Sequence, residues 1–394
     1  MIHHRSWVGL LPALAFACLL GACSRDPGSG PEAPSDGIDW ARTIGGPYDD
    51  HGSGLAVANS FFYVAADEEG SNFQQDVVLH RLDTSGTETW QKRWGGPFDD
   101  FAYCAAEGNG VVYVGGSTVP RPGASADALV LAFDATTGEL RFSYRFDLEG
   151  GHERIEGIAV ENDAVYCTGW TETVATRMDV LALRLSLDGR LVWSSHWGSN
   201  GFDVASGQPV AMGGLVYVAG RYNANSASSG GDALLAAFSQ ASGDPIWYQV
   251  SGDGQRREAA FDLASDGFNL YLVGAAATAR GTDLRLWAYS SSGFLLWQRD
   301  WSGRGEEFGY GVTVDRFDGS LYATGQTTTL GAGGSDLLLL RFDRDGAVQD
   351  TLLWGGANDD LGDAVVAAAD AIYVVGDTES YGQGGSDAVV LRVR

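Results

Sequence analysis

Two sets of carboxylates recur through this sequence at a near-constant interval. The first comprises Asp50, Asp100, Glu153, Asp203, Glu258, Glu307 and Asp360. The second comprises Asp76, Asp127, Asp179, Asp232, Asp283, Asp336 and Asp387. Carboxylates that converge on one point bind a hard cation such as Ca²⁺, which takes several oxygen ligands. Asp50, Asp100 and Asp360 are the candidate metal ligands if the first set rings the mouth of a channel. Alternatively, each acid accepts backbone N–H bonds and fixes its own turn. Symmetry favours this second reading, because scaffolding follows a repeat whereas a functional site normally breaks it. The close alternation of acids in a calcium loop, D-x-D-x-D-G, is absent from the sequence. Ca²⁺ is the one cofactor left open, and no other is indicated.

Residues that break the repeat are therefore the candidate binding residues. Most loops entering the first acid set resemble G-G-P-F-D-D. Two units instead carry His152-Glu153-Arg154 and Gln255-Arg256-Arg257-Glu258, and His51 lies in a loop nearly equivalent to that of His152. His51, His152, Arg154, Arg256 and Arg257 thus place positive or titratable groups in an otherwise acidic setting. A ligand or partner segment bearing carboxylate or phosphate is expected beside Arg256 and Arg257, through charge-assisted hydrogen bonds. The other histidines of the mature chain, His80 and His196, have no metal-ligand spacing. Cys104 and Cys167 lie outside any C-x-x-C motif and read as buried free thiols, although export would permit a disulfide. There is no G-x-S-x-G nucleophile elbow. The stretches GAGGSD and GQGGSD lack a following lysine and helix and read as turns. The acid pairs Glu306-Glu307 and Asp359-Asp360 point to opposite faces of a strand, which disfavours a glycosidase pair.

The elements that carry these residues repeat seven times. Tyr63, Tyr113, Tyr166, Tyr217, Tyr271, Tyr322 and Tyr373 recur about every fifty residues. A glycine follows three positions later in every unit except the first, which has Ala66. Trp40, Trp90, Phe142, Trp193, Trp247 and Trp297 form a second series, broken by Asp350. Each unit holds four short β-rich stretches separated by Gly, Asp, Asn and Ser, and none has a helical period. Four strands per unit predict an all-β fold, a seven-bladed β-propeller over residues 37–394. The chain enters within a unit at IDWARTIGG, equivalent to the outer strand TWQKRWGG, and finishes at a third strand, Asp387–Arg394. The N-terminal strand should therefore join the last blade and close the ring. The motifs W-x-x-x-W-G-G-x-x-D-D, Y-V-x-G and S-D-A resemble the bacterial β-propeller repeat family of secreted proteins. FDATTGELRFSY is similar to quinoprotein-type propeller repeats. The resemblance covers residues 37–394 and implies the fold; such propellers include enzymes, binders and scaffolds.

The first residues read as an export signal. His3, His4 and Arg5 precede an apolar run from Trp7 to Leu20, the layout of a signal peptide and too short for a comfortable membrane span. Leu20-Gly21-Ala22-Cys23 resembles the lipobox of bacterial lipoproteins, which implies a signal peptide over 1–22 and lipidation at Cys23. Ser24 follows the cysteine, and by the same resemblance favours the outer membrane. Residues 23–36, rich in Gly, Pro and Ser, read as a flexible tether. With Lys+Arg 25 against Asp+Glu 51 the net charge is −26, which disfavours nucleic acid and anionic lipid as partners. The expected role is a lipid-anchored, non-catalytic binding or scaffold module for an envelope protein or surface polymer. In architecture it resembles the propeller lipoprotein of the outer-membrane barrel-assembly machinery. The alternative is an enzyme on the same fold, a quinoprotein-like dehydrogenase or a glycan-active hydrolase.

Overall fold

The computed structural model describes residues 37–394 apart from 59, 72, 173–176, 225–230 and 253–255. The proposed signal peptide, Cys23 and the tether lie outside the described residues. Twenty-eight strands, β1 (Ile38–Ile44) to β28 (Asp387–Val393), form seven antiparallel sheets of four. The result is the seven-bladed propeller that the repeats predict. The last sheet has the order β1-β28-β27-β26, with β26 at Asp360–Ala367 and β27 at Ile372–Thr378. Ile44 of β1 pairs with Ala388 and Ala41 with Leu391, so the N-terminal strand closes the ring.

Burial explains the strand sequences. The second strand of blade two, VVYVGGST over Val111–Thr118, is buried at every residue. Neighbouring blades cover both its faces, so it reads as an apolar run without alternation. The outermost strand of that blade, Leu140–Phe146, alternates between exposed and half-buried residues. Its solvent-facing side explains the charged and polar positions in the equivalent strand of every blade.

The two aromatic series join the blades. Tyr63 packs beside Trp90 at 6.0 Å between ring centroids, and Tyr166 beside Trp193 at 6.3 Å. The Tyr63 hydroxyl donates to the Ala135 carbonyl of the next blade at 2.9 Å, and Tyr217 donates likewise to Ser291. The indole N–H groups of Trp90 and Trp193 donate to Thr136 and Gln240, again in the next blade. Each such pair adds about 0.5–1.5 kcal/mol beyond its burial. In blade six, where Asp350 breaks the aromatic series, the Arg341 guanidinium stands 5.9 Å over Tyr322 instead.

Candidate binding channel

The glycine three residues after the tyrosine, present in every unit but the first, allows a close approach of the innermost strand. At Gly116 an added Cβ would lie 1.8 Å from the Phe101 carbonyl oxygen of the first strand. This close approach accompanies a β-bulge: Ala102 pairs with Gly116 and Cys104 with Gly115, which leaves Tyr103 as the extra residue. The same irregularity makes Ser53, Glu156, Phe261, Tyr310 and Asp363 the extra residues of their strands. A bulge re-aims a side chain, and all six of these residues line the central cavity. The cavity has a volume of about 1980 Å³ and runs along the seven innermost strands. The bulged position varies from blade to blade, so the ring presents hydroxyl, aromatic and carboxylate groups in turn.

Two aromatic clusters face into this channel. Phe101 and Tyr103 stack at 6.1 Å, and the Arg154 guanidinium stands 4.3 Å from the Tyr103 ring and 5.4 Å from Trp170. Glu156 pairs with Arg154 and accepts the Trp170 indole N–H at 3.1 Å. The second cluster contains Phe308 and Tyr310, stacked at 6.0 Å, with Phe261 5.6 Å from Tyr310.

Blade four breaks the pattern. Its first strand, β14 (Phe202–Met212), carries a longer insertion between Ser206 and Val210. The Gln208 side chain reaches the Ala105 carbonyl in blade two at 3.3 Å, and the Thr168 hydroxyl of blade three donates to the Gly207 carbonyl at 3.3 Å. Residues 207–209 therefore project into the channel and join blades two, three and five. Asp262 of blade five holds this segment. Its carboxylate accepts the Gln208 amide at 2.9 Å and the Val312 amide at 2.8 Å. Burial pushes the Asp262 carboxyl up to about 6, while the two amides act in the opposite direction.

The proposed binding residues divide. His51, His152 and Arg154 line the channel. His51 contacts Asp377 at 3.1 Å, and His152 Nδ1 accepts the Ala126 amide at 3.1 Å. Arg256 is exposed and Arg257 half-buried, and neither is among the cavity-lining residues; Gln255 lies outside the described residues. Arg257 sits near Arg221, whose guanidinium is held down to about 10 by burial and by the Arg257 charge. Cys104 and Cys167 are buried free thiols, held well above the usual thiol range by burial.

The proposed metal ligands Asp50, Asp100 and Asp360 are buried in three separate blades. They do not line the cavity; of the first acid set Glu153 does and the other six do not, so the set does not form a ring at a channel mouth. Their oxygens face turns: Asp100 accepts the Gly96 amide at 2.8 Å, and Asp360 accepts the Gly356 amide at 2.7 Å. Asp50 accepts the Glu69 amide at 3.0 Å and, with burial as the main cause, is pushed up to about 6. This is the turn-fixing arrangement that symmetry favours. The two acid sets meet at blade boundaries. A Cβ on Gly355 would lie 2.4 Å from Asp336 and 2.8 Å from Asp360.

The class that these features define is the closed seven-bladed β-propeller with a side-chain-lined axial channel. The family model described as outer membrane protein assembly factor BamB matches residues 74–186 and 178–313, and the chain belongs to that family. No curated protein matches the chain. Among solved structures, the WD40 propeller domain of Doa1 is similar at 12% identity and a TM-score of 0.57, covering 91% of this chain and 96% of that one. A quinohemoprotein alcohol dehydrogenase from Comamonas testosteroni is similar at 11% identity and a TM-score of 0.50, covering 90% of this chain and 76% of that one. The propeller domain of the trilobed protease from Pyrococcus furiosus is similar at 8% identity and a TM-score of 0.51, covering 87% and 93%. At these identities the likeness is one of fold.

Proposed function

We propose that the protein is a lipid-anchored binding or scaffold module of the cell envelope that takes a segment of a partner protein into its axial channel. The observation that carries this reading is the channel itself. Its volume of about 1980 Å³ exceeds the ~300–1,000 Å³ usual for a small-molecule site. Its walls combine two aromatic clusters with charged groups, a composition suited to side chains of a polypeptide. Twelve carboxylates and three arginines line it, so the segment it suits carries basic and aromatic residues. The partner class follows from the family, whose description is an outer-membrane assembly factor. The anchor follows from the Leu20–Cys23 box, with several acyl chains at Cys23 giving firm attachment, and Ser24 favours the outer membrane.

The test is co-purification from the native envelope with wild-type protein and with a Tyr103→Ala, Tyr310→Ala double variant of unchanged melting temperature. The proposal expects a discrete partner with the wild type and at least tenfold less with the variant. Equal recovery from both would overturn channel binding. Steady substrate turnover by the purified protein, lost in the same variant, would replace this reading with the enzyme alternative.

A further inference from the structure

The boundary between blades two and three departs from the others at one position. Where the outer strand of one blade ends, the next residue is Gly45, Gly95, Gly198, Gly252 or Gly355 at five boundaries and Ser302 at another. Between blades two and three it is Asp147. Elsewhere the glycine leaves room for the ladder carboxylates: a Cβ on Gly95 would lie 1.9 Å from Asp76 Oδ1, and one on Gly198 would lie 2.4 Å from Asp179 Oδ1 and 2.8 Å from Asp203 Oδ2. A third acid has thus entered a place that already holds two.

Asp127, Asp147 and Glu153 each offer an oxygen within 4.8 Å of the others. Asp127 and Glu153 are buried, Glu153 with 0% of its surface exposed. One Glu153 oxygen accepts the Thr171 hydroxyl at 3.0 Å and the Leu148 amide also approaches the carboxylate, while Oε2 is buried with no well-formed hydrogen bond. A buried carboxylate oxygen without a donor is costly, and beside two more carboxylates the missing partner should be a cation. Asp127 also contacts the Arg145 side chain at 3.0 Å, and Asp147 accepts the Gly150 amide at 2.9 Å. Arg145 is 56% exposed along its side chain and can swing into solvent.

We propose that Asp127, Asp147 and Glu153 form a divalent-cation site suited to Ca²⁺ at the blade two–three boundary. Ca²⁺ holds its oxygens at about 2.3–2.6 Å, so one ion spans oxygens up to 4.8 Å apart. Water or backbone oxygens complete its coordination, as the ion readily allows. The ion would pin the loop that carries His152, one of the channel-lining residues. The site does not depend on what the channel binds.

The test is calorimetric titration of CaCl₂ into chelator-treated full-length protein, together with its melting temperature in Ca²⁺ and in EDTA. The comparison is with Asp147→Gly, which restores the glycine of the other blades and should fold. The expected result is one ion per chain, with Kd on the order of 10⁻⁴–10⁻³ M as for extracellular modules. Ca²⁺ should raise the wild-type melting temperature. Asp147→Gly should bind at least tenfold more weakly and melt in EDTA no lower than the wild type. Arg145→Ala, which removes the competing cation, should bind more tightly. No heat and no thermal shift with wild-type protein at ~10 mM Ca²⁺, or undiminished binding by Asp147→Gly, would overturn the site.

Discussion

Replacing Asp262 by alanine tests how the segment that projects into the channel is held in place. The carboxylate ties three blades by accepting the amides of Gln208 and Val312 at 2.9 and 2.8 Å. Hydrogen bonds to a charged acceptor contribute about 1.5–3 kcal/mol each. Against them stands the cost of keeping a carboxylate ionised in this setting, which raises its pKa from 3.8 to about 6. With both effects, and with channel water partly replacing the lost acceptor, Asp262→Ala should destabilise the ring by about 1–3 kcal/mol at pH 8. The pH dependence has a definite sign. The folded pKa lies above the unfolded one, so the native state binds more protons between pH 4 and 6. This contribution is full below the unfolded pKa and is lost as pH rises through about 6. Between pH 5 and pH 8 it changes by about 1.4 kcal/mol, reduced to about 1 for solvent screening in the channel. Alanine has no such contribution, so the variant's deficit should be larger at pH 5 than at pH 8 by about 1 kcal/mol. Denaturant unfolding of both proteins at both pH values measures it. A deficit independent of pH, or larger at pH 8, would refute the reasoning.

Five further outcomes can be measured. Deleting Ile38–Ile44 removes the partner of β28 and should lower the melting temperature of the entire ring in one transition; an unchanged melt would contradict closure by β1. Tyr217→Phe, which deletes the bond to the Ser291 carbonyl, should cost about 1 kcal/mol in denaturant unfolding. Cys23→Ala should abolish fatty-acid labelling and release the protein from the membrane fraction, and equal labelling would defeat the anchor. Arg154→Ala, which removes the guanidinium packed against Tyr103 and Trp170 and so loosens the aromatic cluster, should weaken partner binding by tenfold or more, ~1.4 kcal/mol. Arg256→Ala with Arg257→Ala should weaken it less, because neither residue lines the channel; the reverse order in a binding titration would move the site to that loop.

The blades were legible because their order is periodic. Tyrosine, glycine and tryptophan recur in step, and Tyr63, Tyr113, Tyr217, Trp90 and Trp193 bond to carbonyls of the next blade in the same way. Ring closure was legible from the frame in which IDWARTIGG enters. The channel lining was not, because a bulge shifts pairing by one residue and leaves no mark in hydropathy. Its signal was indirect: the glycine three residues after the tyrosine, in every unit but the first, opens space for the first-strand carbonyl. The residue opposite that gap, Tyr103 in one blade and Asp363 in another, varies where the rest repeats. Asp262 was also missed, since its importance depends on an insertion at residues 207–209 whose course the local sequence does not specify. The acid ladders were read correctly as periodic, but their depth in the fold was not. Asp50, Asp100 and Asp360 lie buried at the starts of their strands, and the carboxylates of Asp100 and Asp360 bind turn amides. The departure that matters, Asp147 in a glycine position, becomes visible only when the boundaries are aligned on both ladders.

The central claim is that the axial channel receives a partner segment. Site-specific photo-crosslinking in living cells tests it most directly, with the photoreactive residue placed at Tyr310 in the channel or at Ile246, an exposed position on an outer strand. The account predicts one discrete crosslinked envelope protein from Tyr310 that is lost when Arg154→Ala is added, and none from Ile246. A partner captured at Ile246 but not at Tyr310 would contradict it and place the interaction on the blade rims.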